Sequence, residues 1–166
     1  MLNVILLIVL GSHSPHRVQT QQPNSRTDAL RILKGCATRP ITLGCSEDTA
    51  VYLIDLYEKG DRTVLKSLLD AGRTSDGALS EVLGDFYADI LVQRPRTFLE
   101  GLRFRPKKEQ QSLCWLAAAR DGSGMGADDV RDVRRNLTTI VSGEVRLAPV
   151  ARICLREVNK VRKRSQ

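Results

Sequence analysis

A chain of 166 residues with 42% apolar and 27% charged side chains has ordinary globular composition, which excludes a disordered polypeptide and suits one domain with a real core. Aromatics make up only 4%, so that core has to be aliphatic, as packed helices allow. The formal net charge of +7 is uneven: residues 27–104 carry 10 basic and 12 acidic groups, whereas residues 105–166 carry 14 basic and 7 acidic. That excess favours an anionic partner at the C-terminal third, with a solvated basic face as the alternative.

The chain opens with "MLNVILLIVL", an apolar run well short of the roughly 20 residues that cross a bilayer, so no transmembrane span is expected. The run has the length of a signal-peptide core, and Gly11, Ser12 and Ser14 supply small residues behind it. No Lys or Arg precedes it, so the positive leader of a signal peptide is missing. Residues 1–24 read as a signal peptide or tether with a flexible segment, and residues 25–166 as a single helical-repeat domain. Export to the periplasm or beyond is the expected localisation, with the cytoplasm as the alternative. Histidine occurs only at His13 and His16, so a Ser–His or Cys–His nucleophilic pair in the folded body would need this segment to fold back.

Apolar periodicity predicts an opening helix over 27–35 and longer helices over 46–59, 76–93, 107–120 and 147–164. Shorter ones are predicted over 62–71 and 96–104, and one of intermediate length over 128–141. The breaks carry Gly60-Asp61, Gly72 with Ser75, Pro95, Pro106 and Gly143. No sustained alternation of period two occurs, so no appreciable sheet is expected.

A shift of 34 residues lays Arg62, Thr63, Leu65 and Leu68 over Arg96, Thr97, Leu99 and Leu102. The same shift carries Leu79, Val82 and Leu83 to Leu113, Leu116 and Ala117, and once more to Leu147, Val150 and Ala151. Helix pairs at such a period cannot bury their apolar stripes alone, and stacking gives them a continuous core. The expected fold is all-α: stacked antiparallel helix pairs forming a short α-solenoid. "TVLKSLLDAGRTSDGALSEVLGDFYADIL" and "TFLEGLRFRPKKEQQSLCWLAAA" resemble successive helix pairs of HEAT-type repeat proteins. That resemblance implies a binding or scaffold role and carries over no catalytic residues.

Cys36, Cys45, Cys114 and Cys154 show no C-x-x-C spacing, so no zinc site is expected. In an exported chain the favoured bridge is Cys36–Cys45, closing "CATRPITLGC" and leaving Cys114–Cys154 if the fold brings them together. Alternatively, Cys45 and Cys154 are small core hydrophobes. The stretch "DGSGMGADDVRD" places Asp121, Ser123, Gly126, Asp129 and Asp132 at calcium-loop positions 1, 3, 6, 9 and 12. Met125 stands where an oxygen ligand belongs and Asp132 is shorter than the usual chelating Glu, so the stretch reads as a connector between helices. No metal and no cofactor are expected.

Asp85 with Asp89, and Asp128 with Asp132, form same-helix acid pairs, and such pairs are usually solvated. The basic candidates are Arg131, Arg134 and Arg135 on one helix with Arg156, Lys160, Arg162, Lys163 and Arg164 on the next, a set able to bind an anionic face by counterion release. Aromatics for base stacking are absent there, which weighs against single-stranded nucleic acid. The expectation is a non-catalytic exported module that binds another macromolecule, with a protein as the first partner. An anionic surface of lipid headgroups or cell-envelope phosphate is the second. A cytoplasmic anion- or nucleic-acid-binding protein is the alternative, and a carboxylate-dependent hydrolase a weaker one.

Overall fold

The structure, a computed structural model, describes residues 23–38, 47–75 and 77–164, and the side chains of 162–164 lie outside that description. Among the described residues every regular element is helical. They are α1 (Arg26–Thr38), α2 (Glu47–Glu58), α3 (Leu65–Ala71) entered through a 3-10 turn at Arg62–Val64, and α4 (Gly77–Gln93). α5 (Pro95–Leu102), α6 (Lys107–Ala119), α7 (Ala127–Gly143) and α8 (Ala148–Arg164) follow. No described helix is long and apolar enough to cross a membrane.

Local chemistry explains the boundaries. Asp61 accepts from the Thr63 amide at 3.2 Å and so caps the 3-10 turn, while Arg26 Nε donates to it at 2.6 Å and ties α1 alongside. Pro95 begins α5, where a missing N–H removes no helical hydrogen bond. The Leu102 carbonyl at the end of α5 accepts from the Arg105 amide at 2.9 Å, and Gln110 of α6 turns back over the same turn. Its Nε2 donates to the carbonyls of Leu102, Arg103 and Arg105 at 3.2, 3.2 and 2.9 Å. One buried amide thus closes the α5–α6 turn.

The even-numbered helices pack on one another in succession, and among these pairs α4 on α6 and α6 on α8 are in more extensive contact than α2 on α4. The odd-numbered helices follow in the same order, α1 on α3, α3 on α5 and α5 on α7, with thinner contacts beyond the first. At the C-terminal end α7 lies chiefly against α8, and its contact with α6 is slight. One aliphatic core runs from Ala29 to Val158. Four of the seven aromatics, Tyr57, Phe86, Tyr87 and Phe98, form a chain within it, with successive ring centroids 5.2, 5.8 and 6.0 Å apart. Burial pushes the Tyr87 phenol far up, and its hydroxyl donates to the Leu68 carbonyl at 2.6 Å.

Two contacts set the spacing between α4, α6 and α8. Gly84 of α4 sits against the end of α6, so that a Cβ placed on it would come within 2.3 Å of the Arg120 carbonyl oxygen. Cys114 of α6 and Cys154 of α8, both fully buried, are joined by a disulfide with 4.8 Å between their Cα atoms. Cys154 is therefore a core residue and a bridged one at once. Cys36 is also disulfide-bonded, and the expected Cys36–Cys45 bridge falls on Cys45, outside the described residues.

Arg105, with only 11% of its side chain exposed, braces α3 against the α5–α6 turn through Asp70 at 2.7 Å and Glu109 at 3.6 Å. Partial burial alone would raise the Asp70 carboxyl, but hydrogen bonds from Lys66 and Arg105 outweigh it and hold the group below its ordinary 3.8. A carboxyl so depressed stabilises the fold above its ordinary value and stops doing so as pH falls through the lowered one. Asp70→Asn is thus expected to be less stable than the parent at neutral pH, with the gap closing in acid denaturation below pH 3.8. Gly84→Ala has only backbone to push against and is expected to cost about 1–3 kcal/mol in urea unfolding. The Cys114–Cys154 bridge spans 40 residues. Replacing both cysteines with Ala is expected to cost about 4 kcal/mol on the chain-entropy account, read from the same unfolding curves.

Candidate functional site

The connector between α6 and α7 is built around Arg120. Its backbone takes φ 55° and ψ −131°, a conformation that L side chains rarely adopt, and this ends α6 abruptly. The amides of Gly122 and Gly124 both turn back to the Ala119 carbonyl at 2.9 and 3.0 Å, with φ of 99° and 80° that only glycine adopts without strain. The Arg120 guanidinium spreads over three carboxylates: Asp85 at 2.9 Å and Asp89 at 3.2 Å on α4, and Asp129 at 3.8 Å in the first turn of α7. The Asp85 hydrogen bond above all, with the charges of Asp89 and Asp129, raises Arg120 above its ordinary value. A single side chain thus pins the start of α7 to α4.

The same connector holds the residues at the calcium-loop positions. Asp121 Oδ1 accepts from the amide and the hydroxyl of Ser123, at 2.9 and 2.5 Å, and these bonds hold its carboxyl below its ordinary range. Asp129 goes to Arg120, Asp128 pairs with Arg131 at 2.9 Å and Asp132 with Arg135 at 2.9 Å. Met125 packs against the core. The stretch acts as a helix-to-helix connector whose carboxylates are engaged within the fold. The acid pair Asp85 and Asp89 is likewise held on Arg120.

Because α7 is anchored at its first turn and leans on α8, a groove of about 800 Å³ opens between the connector, α7 and the end of α8. Its apolar lining comes from Ala118, Met125, Val130, Val158 and Val161. Arg131, Arg134 and Arg135 line it from α7, with Ser123, Thr138 and Thr139 adding hydroxyls. Val130, Arg134 and Thr138 are spaced four apart and share one face of α7, which is why apolar and cationic groups meet there.

The eight basic candidates do not share one cavity. Arg131, Arg134 and Arg135 lie together in the groove, whereas Arg156 and Lys160 line a separate depression of about 330 Å³ with Arg152, Leu155 and Asn159. There the nearly buried Glu157 draws them in: Lys160 Nζ donates to both its oxygens at 3.0 Å, and Arg156 Nε lies 3.6 Å away. Gln111 of α6 donates to the same carboxylate at 3.0 Å. Arg162, Lys163 and Arg164 end α8, and their side chains lie outside the described part. Sequence reasoning missed the Arg120 junction, because an ion pair between residues more than 30 positions apart leaves no local pattern. It also missed Phe104 and Val145, 83% and 92% exposed on the α5–α6 and α7–α8 turns. Comparison with known proteins finds no matching family model, no matching curated protein and no matching solved structure.

Glycine accepts the backbone conformation of residue 120 at no steric cost, while any other residue retains strain of about 1 kcal/mol or more. Arg120→Ala loses the three ion pairs and keeps the strain; Arg120→Gly loses the pairs and relieves it. Urea unfolding is expected to find the Gly variant more stable than the Ala variant by about 1 kcal/mol, with both below the parent. Equal stabilities would show that the backbone at Arg120 is unstrained.

Proposed function

We propose that this chain is a non-catalytic, exported helical-repeat module that binds another macromolecule through the basic side chains of its last two helices. The observation that carries this reading is the convergence of Arg131, Arg134 and Arg135 on one groove beside an apolar lining. Recognition surfaces commonly combine those two elements. The carboxylates that an acid–base mechanism would need are occupied. Asp85 and Asp89 lie on Arg120, Asp128 on Arg131 and Asp132 on Arg135.

The scaffold reading is a short HEAT-like stack with a period of about 34 residues. Its support is the order of packing, in which each even-numbered helix lies on the next and each odd-numbered helix on the next. Export is supported by the buried Cys114–Cys154 disulfide and the oxidised state of Cys36, since structural disulfides persist in oxidising compartments. A protein with an acidic face is the first partner, and a lipid-headgroup or cell-envelope phosphate surface the second.

Retention on immobilised heparin tests the basic face directly. Arg131→Glu with Arg135→Glu is expected to lower the salt concentration needed for elution, and each lost anion contact should reduce the salt slope by about one. The triple change of Arg162, Lys163 and Arg164 to Glu separates the helix end from the groove. Elution unchanged in both variants would remove the basic face from the proposal. Export is tested by N-terminal sequencing of the protein purified from its host. Loss of the apolar run is the expected result, and an intact Met1 on cytoplasmic protein would favour the cytoplasmic anion-binding alternative.

A further inference from the structure

Among the described residues, the half-buried arginines are Arg103, Arg105, Arg120 and Arg134. Arg103 pairs with Glu100, Arg105 with Asp70 and Glu109, and Arg120 with Asp85, Asp89 and Asp129. Arg134 alone of these has no carboxylate partner. A half-buried arginine lays its aliphatic stem along the surface and keeps its charged head available to an anion. Its neighbours cannot share it with a ligand equally well, because Arg131 and Arg135 are each tied to an Asp of their own helix, at 2.9 Å. Among the described residues lining the groove, Arg134 is thus the one cation without a carboxylate.

Beside that charge the groove also carries an apolar lining. Met125, Val130 and Val161 are only partly buried against the core and leave hydrocarbon surface facing the groove. The volume of about 800 Å³ lies within the range of small-molecule sites, about 300–1,000 Å³. We infer that the α7–α8 groove binds an anionic amphiphile, with a single carboxylate or phosphate head on Arg134 and an acyl chain along Met125, Val130 and Val161. This goes beyond the macromolecular reading and does not depend on it, since it concerns Arg134 and the apolar lining and not the number of cations on the surface. The occupant follows from charge and shape together: one anionic group, and a hydrocarbon portion to cover what the helices leave open.

The head can come from a free fatty acid or alkyl phosphate, or from a phospholipid in a bilayer, and two arms of one experiment separate them. In the first, isothermal titration of the full chain with dodecyl phosphate as monomer is expected to show one site. Arg134→Ala should weaken it at least tenfold, the worth of a charge-assisted hydrogen bond. Arg134→Lys should restore part of the loss, and Arg94→Ala, an exposed arginine outside the groove, should change nothing. Extending the chain from decyl to dodecyl phosphate should tighten binding about fourfold per methylene. The second arm replaces the monomer with phosphatidylglycerol vesicles and compares the same variants by co-sedimentation. Dependence on Arg134 in either arm supports the inference, and the arm that shows it identifies the source.

Arg134→Ala should leave the thermal midpoint unchanged without ligand, which distinguishes a binding role from a structural one. A fall in that midpoint would count against the inference. Equal binding of dodecanol and dodecyl phosphate would overturn it, as would indifference to chain length or to Arg134 in both arms. A hexaglutamate peptide that binds as tightly as dodecyl phosphate would assign the groove to an acidic protein instead. Self-association abolished by Arg134→Ala, with no amphiphile bound, would assign it to a second copy of the chain.

Discussion

The junction at Arg120 is the constraint on which the C-terminal half of the molecule depends. Its carbonyl rests where Gly84 has no side chain, its backbone turns the chain sharply out of α6, and its guanidinium gathers carboxylates from α4 and α7. Each of these would be weak alone. A partly exposed ion pair contributes about 1 kcal/mol or less, and an unusual backbone conformation costs a comparable amount. Together they decide where α7 starts and in which direction it leaves. α7 therefore rests on α8 with little contact to α6, and a groove remains at the join.

The rest of the fold is held by more ordinary forces. A single aliphatic core supplies most of the favourable free energy, and four buried aromatics run through it as one chain of rings. The disulfide between Cys114 and Cys154 clamps α6 to α8, the two helices in most extensive contact. Polar groups close the remaining gaps. Gln110 caps α5 from outside, and Arg105 ties α3 to the next turn. The C-terminal region thus combines a disulfide-linked pair, α6 and α8, with a helix that packs on α8 and is tied to α4 at its first turn by Arg120. That is a suitable frame for a binding groove, because the lining from α8 is fixed and the cations come from the adjacent α7.

Helix positions were largely legible from local signals. Glycine, proline and apolar spacing marked the ends of α4, α5, α6 and α8 to within a few residues, since such signals act over one or two turns. The connector reading of residues 121–132 rested on Met125 and on the shortness of Asp132, and the structure adds that Asp128, Asp129 and Asp132 each meet an arginine. The basic candidates were legible as residues but not as a site. Arg131, Arg134 and Arg135 gather in one cavity, while Glu157 draws Arg156 and Lys160 to another. Nothing in the local pattern distinguishes Arg134 from its neighbours, because the difference lies in which arginines find a carboxylate.

By itself, the amino-acid sequence determined that the chain is helical, that its core is aliphatic, and that its positive charge is concentrated in the last third. Those properties depend on composition and on spacings of three to four residues, which the chain expresses before any long-range contact forms. Only the tertiary structure decided that Cys114 meets Cys154, that Arg120 links α4 to α7, and that one arginine is left uncommitted beside an apolar groove. Each of these joins residues 30 or more positions apart, or depends on a charge that distant packing leaves unmatched. Such pairings follow from how helices stack, and the stacking is set by the sum of many contacts that no short stretch contains.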